Sequence, residues 1–142
     1  MDVVVRAARP SDEPLIFSSW TKGAYQCAPA HWVPRDIFIP RQTAHIRRCL
    51  DACGARVAVH PDDDAEIVGW ACMTMLPGVT LIHWAYVKQL FRRLGVGREL
   101  VGEAPTYATT QASKYLGTFV KAKRVLFDPY FWDRWSEARA AA

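Results

Sequence analysis

The sequence predicts a mixed α/β fold, an α+β sheet with helices packed on it, in the order β-α-α-β-β-β-α-β-α-β. Three observations predict it. Helix-like and strand-like hydrophobic periods follow one another along the whole chain. Three strand-like runs between 55 and 87 are joined by short turns, which makes their neighbours antiparallel. The third run, Leu81-Ile82-His83-Trp84-Ala85-Tyr86-Val87, carries no formal charge, as a central strand covered on both faces would. A chain of 142 residues fits one domain. Its expected core covers about 3–127, with an aromatic tail at 128–142.

The elements read in order as follows. Val3, Val4 and Val5 make a short first strand. Pro10-Ser11-Asp12-Glu13 reads as a helix start, with Ser11 as the cap, acids in the first turn and Pro14 still tolerable there. Leu15, Ile16, Ser19 and Trp20 give that helix one face, and Gly23 is expected to end it. Residues 24–40, with Pro29, Pro34 and Pro40 among Tyr25, His31 and Trp32, read as an ordered loop. A second helix is expected from about Arg41, its apolar stripe formed by Ile46, Cys49, Leu50 and Cys53, with Gly54 as the stop. Strands are then expected at 55–59, 67–75 and 81–87, separated by the turns at 60–64 and Pro77-Gly78. A helix with Val96, Leu100, Val101 and Ala104 on one side follows, closed by Pro105. The last elements are a strand at 107–110, a helix from about Ser113 and a strand at 123–127.

Bulk properties exclude several classes. Half the residues are hydrophobic (51%) and 23% are charged, an ordinary globular balance rather than a disordered one. No stretch approaches the roughly 20 apolar residues of a membrane span, and Met1-Asp2-Val3-Val4-Val5-Arg6 lacks the basic flank of a secretory signal. The expectation is a cytoplasmic protein without a membrane partner. A net charge of +4 is too small to imply nucleic acid. The thiols Cys27, Cys49, Cys53 and Cys72 make no disulfide scaffold in a domain of this length. His45, Cys49 and Cys53 recur every four residues along one helical face. Without ligands from a second element they read as buried core groups rather than a metal site, and no metal is expected. The acidic run Asp62-Asp63-Asp64 reads as a solvated hairpin end.

The informative charge is local. Lys88, Arg92, Arg93 and Arg98 crowd into eleven residues around Gly95 and Gly97, between the apolar run and the next helix. Glycines let a backbone turn tightly against a ligand. The first N–H groups of a helix lack internal partners, and basic side chains add charge-assisted hydrogen bonds. Strand, glycine loop and helix start together suit a phosphate or pyrophosphate. The chain has neither a Walker loop nor a Gly-x-Gly-x-x-Gly dinucleotide fingerprint.

What it has is Arg92-x-x-Gly95-x-Gly97. After a hydrophobic strand and at a helix start, this resembles the acetyl-coenzyme A motif of the GNAT N-acetyltransferase superfamily, Gln/Arg-x-x-Gly-x-Gly/Ala. The element order over 3–127, beginning with Arg6-Ala7-Ala8-Arg9-Pro10-Ser11-Asp12, is similar to that family as well. The resemblance implies acetyl-CoA as the acyl donor and a primary amine as acceptor, with direct transfer and no acyl-enzyme. It implies that backbone groups of Tyr86, Val87 and Lys88 bind the pantetheine arm like an added strand. Arg92, Arg93, Leu94, Gly95, Val96, Gly97 and Arg98 would ring the pyrophosphate. The catalytic acid in such enzymes is often a tyrosine, which points to Tyr115, with Tyr107 second. Many relatives carry a glutamate base on the fourth strand; here that strand offers His83, an imidazole able to serve near neutral pH, with His31 as a lesser candidate.

One departure is visible. A single strand follows the helix from Ser113, where the family closes with a hairpin. Tyr130, Phe131, Trp132 and Trp135 would then replace the hairpin or meet a partner chain, a homodimer included. Two other readings remain open: a GNAT-like modifier of a nucleic-acid base or a protein lysine, and a non-catalytic acyl-CoA sensor or interaction domain.

Overall fold

The computed structural model describes residues 1–27, 30–111, 125–131 and 133. The expected helix from Ser113, Tyr115 within it, and Trp132 and Trp135 of the tail lie outside the described residues.

A first strand, β1 (Val4–Ala7), leads through a 3-10 turn at Pro10–Asp12 into helix α1 (Glu13–Tyr25). Ser11 does not cap this start. The Asp12 carboxylate does the local work, accepting the Arg9 N–H at 2.7 Å and pairing with the Arg6 guanidinium at 2.7 Å. Gly23 does not end the helix either. A Cβ there would meet Cζ2 of Trp84 at 2.8 Å, so the glycine is a contact point where α1 lies on the sheet.

Helix α2 (Arg35–Cys53) begins before the expected Arg41 and carries Pro40 inside it. Burial of Phe38, whose ring lies 5.0 Å from that of Tyr25, overrides the local proline rule. Pro40 lacks an N–H and so withholds only one intrahelical hydrogen bond, from the Asp36 carbonyl. Gly54, at φ 66°, ends α2 as expected, its N–H donating to the Leu50 carbonyl at 2.7 Å.

Strands β2 (Arg56–His60), β3 (Asp63–Leu76) and β4 (Val79–Val87) then form a meander. Helix α3 (Val96–Val101), β5 (Thr106–Thr109) and β6 (Val125–Phe127) complete the described elements. The sheet order is β1-β2-β3-β4-β5-β6. The first four strands are antiparallel, as the short turns predict for β2 to β4, and β4–β5 and β5–β6 are parallel. The acidic run is more than a solvated turn, because Asp64 ties β3 to the start of the chain. Its carboxylate pairs with Arg9 at 2.9 Å and its carbonyl accepts from Arg6 at 2.8 Å. Helix α3 stops at Val101 rather than at Pro105, because Gly102 adopts φ 73° and turns the chain.

Side chains fill both faces of the sheet. Ile16, Trp20, Phe38, Ile46 and Cys49 from α1 and α2 cover Val57, Val59, Trp70, Cys72 and Trp84. On the other face Val96, Leu100 and Val101 of α3 pack with Ala58, Val68, Ala71, Met73, Ile82 and Tyr107. Leu81, Ile82, His83 and Trp84 are buried, as expected for a central strand, but Ala85 is exposed. That change within one strand marks the site. Among the described residues, no helix is long and apolar enough to cross a membrane.

Candidate active site

The register of β4 explains the change. Trp84 lies opposite Cys72 and Ile82 opposite Met73, so His83 is the extra residue of a β-bulge. Strand β5 pairs with β4 only from Val79 to Ile82. Beyond the bulge β4 still pairs with β3 but has parted from β5, and the sheet opens into a seam.

Backbone parity shows which groups face that seam. The Lys88 N–H donates to the Val68 carbonyl at 2.9 Å, so Lys88 is hydrogen-bonded toward β3. Alternation along the strand sends the backbone groups of Tyr86 toward β3 as well, and those of Ala85 and Val87 toward the seam. Of the three residues expected to bind a pantetheine arm through the backbone, Val87 therefore presents its groups there. Tyr86 has its groups turned toward β3, the Lys88 N–H is bonded to β3 while the Lys88 carbonyl accepts the Phe91 N–H at 2.9 Å, and Ala85 is the other residue whose backbone groups face the seam.

A cavity of about 590 Å³ occupies the seam. His83, Tyr86, Val87, Arg92 and Gly97 of the expected set line it. Arg92 is held in place by its Nε–H, which donates to the Val87 carbonyl at 2.8 Å. The loop turns through two left-handed residues, Arg93 at φ 65° and Gly95 at φ 86°. A Cβ on Gly97 would meet no atom within 4 Å, so packing does not require a glycine there. Lys88, Arg93, Leu94, Gly95, Val96 and Arg98 do not line the cavity, and Val96 is buried in the α3 core.

Sequence reading missed the opposite wall. Ser19 and Lys22 of α1 and Gln26 just after it line the cavity, as do Gln89 and Gln111. The signal was present as polar residues at three- and four-residue spacing on α1. Gln111 is fixed from two sides. Trp20 Nε1–H, which can only donate, gives its hydrogen to Gln111 Oε1 at 3.1 Å, so the amide NH₂ faces His45 Nε2 in a short contact. At the other ring nitrogen of His45, Nδ1, the Arg48 guanidinium lies 3.5 Å away. Burial first, then Arg48 and His83, holds its pKa below the usual imidazole value.

His83 is 2% exposed, and its Nε2 lies 2.9 Å from Thr74 Oγ1 and 3.6 Å from Cys53 Sγ. Behind it a second cavity of about 80 Å³ is bounded by His45, Arg48, Thr110, Gln111 and Asp133. The buried Thr110 Oγ1 has no hydrogen-bond partner among the described residues, so this small space suits water. Tyr107, the second candidate acid, is committed elsewhere. Its hydroxyl donates to the Gly102 carbonyl at 2.7 Å and accepts the Ala104 N–H at 3.0 Å, clamping the turn between α3 and β5. His31 lies beside Trp32 in the 3-10 turn Ala30–Trp32 and does not line the seam. Among the described residues no group of three could hold a metal ion.

A mixed sheet split at a bulge, with an arginine–glycine loop closing one end of the split, defines an acyltransferase-like architecture. The model of the acetyltransferase (GNAT) family matches residues 19–125, and the chain belongs to that family. A putative acetyl transferase from Pyrococcus furiosus shares the fold at 15% identity and a TM-score of 0.53, over 97% of this chain and 91% of that one. The apo form of YjaB from Escherichia coli aligns at 21% identity and a TM-score of 0.47, over 71% of this chain and 63% of its own. YncA, a putative acetyltransferase from Salmonella typhimurium solved with its cofactor acetyl-CoA, aligns at 16% identity and a TM-score of 0.44, over 70% and 59%. No curated protein matches the chain.

Proposed function

We propose that the protein transfers an acetyl group from acetyl-CoA to a primary amine by direct attack. The observation that carries this reading is the seam, whose open β4 edge runs from the His83 bulge to the Arg92–Gly97 loop along one cavity. The pantetheine arm lies along that edge, bonded by the backbone groups of Ala85 and Val87. The pyrophosphate meets Arg92 and the N–H groups around Gly95 and Gly97, with the exposed Arg93 and Arg98 adding positive potential. Lys22 and Arg92 are the cations of the cavity wall, and no described lining residue is a carboxylate, which suits an anionic donor. An acyl-CoA donor also fits the cytoplasmic location read from the sequence.

The thioester then lies near His83. A neutral amine attacks the thioester carbonyl carbon, the C–S bond breaks, and the sulfur takes a proton. Starting from an ammonium, each turnover also releases one proton. His83 is the base that removes it, and the water-sized space behind the imidazole gives the proton a way out. Edge N–H groups of β4 stabilise the oxyanion. The acid for the leaving thiolate is Tyr115, a role resting on the family resemblance alone.

The test is to incubate the protein with acetyl-CoA and a panel of small amines, peptides and nucleic acid, following free thiol. Thiol release that depends on an amine is the expected result. Release only with peptide or nucleic acid moves the acceptor to a macromolecule. Binding without turnover identifies a sensor, and no binding of acetyl-CoA overturns the reading.

A further inference from the structure

Acetyl transfer to an amine leaves open what else the acceptor carries, and the charges around the seam bear on that. The large cavity is walled from both faces of the sheet. Trp84 belongs to the core under α1 and α2 and Tyr86 packs against it, whereas Ile82, Leu100 and Val101 belong to the core under α3. The two cations of the wall come from opposite sides as well. Arg92 stands just before α3, its Nε–H on the Val87 carbonyl at 2.8 Å. Lys22 stands on α1, next to Gly23, where the helix touches Trp84. Among the described residues no carboxylate pairs with Lys22.

The lack of acids around the seam is written into the sequence. Apart from Leu100 and Val101, every described residue lining the cavity falls within 14–35, 67–98 or 104–127, and none of these stretches contains an Asp or Glu. Glu99 and Glu103, which flank Leu100 and Val101, are exposed and do not line the cavity. Asp133 borders the small cavity behind His83, not the large one. Of the 14 acids, only Glu137 lies outside the described residues. An acceptor with a second ammonium group would thus meet Lys22 and no described counter-charge, and like charges brought together in a cavity oppose binding. Lys22 with the uncharged amide of Gln26, one turn further along the same face, matches a monoanion instead.

We propose that the acceptor is a small amine that also carries a carboxylate, an amino-acid-like zwitterion, and that Lys22 is the residue that selects it. This class of acceptor rests on the proposed function. The carboxylate pairs with the Lys22 ammonium and accepts a hydrogen bond from the Gln26 amide. The amine nitrogen is thereby turned toward the thioester. Its lone pair forms the bond to the acetyl carbon, the C–S bond breaks, the sulfur leaves with a proton, and the carboxylate is unchanged. With pyrophosphate at Arg92 and carboxylate at Lys22, each cation of the wall has its own anion. The cavity of about 590 Å³ also has to hold the reacting end of the donor, which keeps the acceptor small.

The test is acetyl transfer by the full chain at saturating acetyl-CoA, followed as free thiol, with amino acids, their carboxamides and 1,4-diaminobutane as acceptors. The expected result is that an amino acid is acetylated, and that its carboxamide and the diamine are poorer by about tenfold or more in kcat/KM, the size expected of a hydrogen bond to a charged group. Lys22→Gln removes most of that preference, Lys22→Arg keeps it, and Lys22→Glu turns it toward the diamine. KM for acetyl-CoA is unchanged in all three. Lys22 is exposed, so the melting curves stay together. Comparing the acid-to-carboxamide ratio between variants cancels the intrinsic reactivity of each amine. A protein that acetylates the carboxamide or the diamine better, or that accepts only peptides or nucleic acid, overturns the proposal and leaves acetyl transfer standing. So does a preference that Lys22→Gln does not change. A Lys22→Gln variant whose loss falls on KM for acetyl-CoA places the lysine on the donor and overturns it too. A protein that transfers acetyl to no acceptor overturns the proposed function and this proposal with it.

Discussion

The sheet has two halves built on different rules. From β1 to β4 it is an antiparallel meander whose strands pair along most of their length and whose faces are filled by apolar side chains. From β4 to β6 it is parallel, short, and joined to the first half only as far as Ile82. The first half is where burial stabilises the fold. The second is where backbone hydrogen-bonding groups are left without strand partners, and such groups seek a ligand. One inserted residue, His83, separates the two regimes within a single strand.

The comparison predicts that substitutions in the closed half cost stability, and substitutions at the seam cost binding. The largest effect is expected for Trp20→Ala. This side chain is fully buried and packs within 5.3 Å of the Trp70 ring and 6.2 Å of the Trp84 ring. Its loss should cost about 3–5 kcal/mol of unfolding free energy, measured by urea denaturation. A cost under about 1 kcal/mol would mean that the α1 face is not a packed core. Next comes Arg92→Ala, which removes a half-buried cation from the cavity wall. Acetyl-CoA affinity by calorimetry should fall about 10- to 100-fold, the worth of a charge-assisted hydrogen bond, with the melting curve little changed. A large fall in stability with intact affinity would reverse the assignment of the two halves.

The smallest effect tests a charge at the far edge of the closed half. The hydrogen bond from Arg6 first, then the Arg9 N–H, lowers the Asp12 pKa against burial. A carboxyl lowered on folding stabilises the protein above its unfolded value of about 4. That contribution is lost as pH falls through the folded value. Asp12→Asn keeps an oxygen acceptor, so it should cost only about 1 kcal/mol at pH 7. It should also flatten the loss of stability between pH 5 and pH 3. An unchanged acid limb in the variant would show that Asp12 is not a source of that loss.

Much of this was legible in the chain. The uncharged run ending at Val87 and the Arg92–Gly97 loop placed a strand and a glycine turn where the structure has them, because both signals are local. What was not legible depends on contacts distant in sequence. Pro40 reads as a helix breaker until Phe38 is seen buried. Gly23 reads as a stop until Trp84 is seen against it. The bulge at His83 follows from a register between strands, and with it goes the parity that gives the seam Ala85 and Val87 rather than Tyr86 and Lys88. Cys53, Thr74 and His83 come from three elements, and a helical stripe explained Cys53 well enough to hide its polar contacts.

In the proposed function, the β4 edge beyond His83 receives the acyl donor as an added strand. Amide hydrogen exchange, read residue by residue by NMR with and without saturating acetyl-CoA, tests it most directly. The N–H groups of Ala85 and Val87 should become protected on binding, while those of Tyr86 and Lys88, already bonded to β3, keep the same rates. Acetyl-CoA binding that leaves Ala85 and Val87 exchanging as before would contradict it.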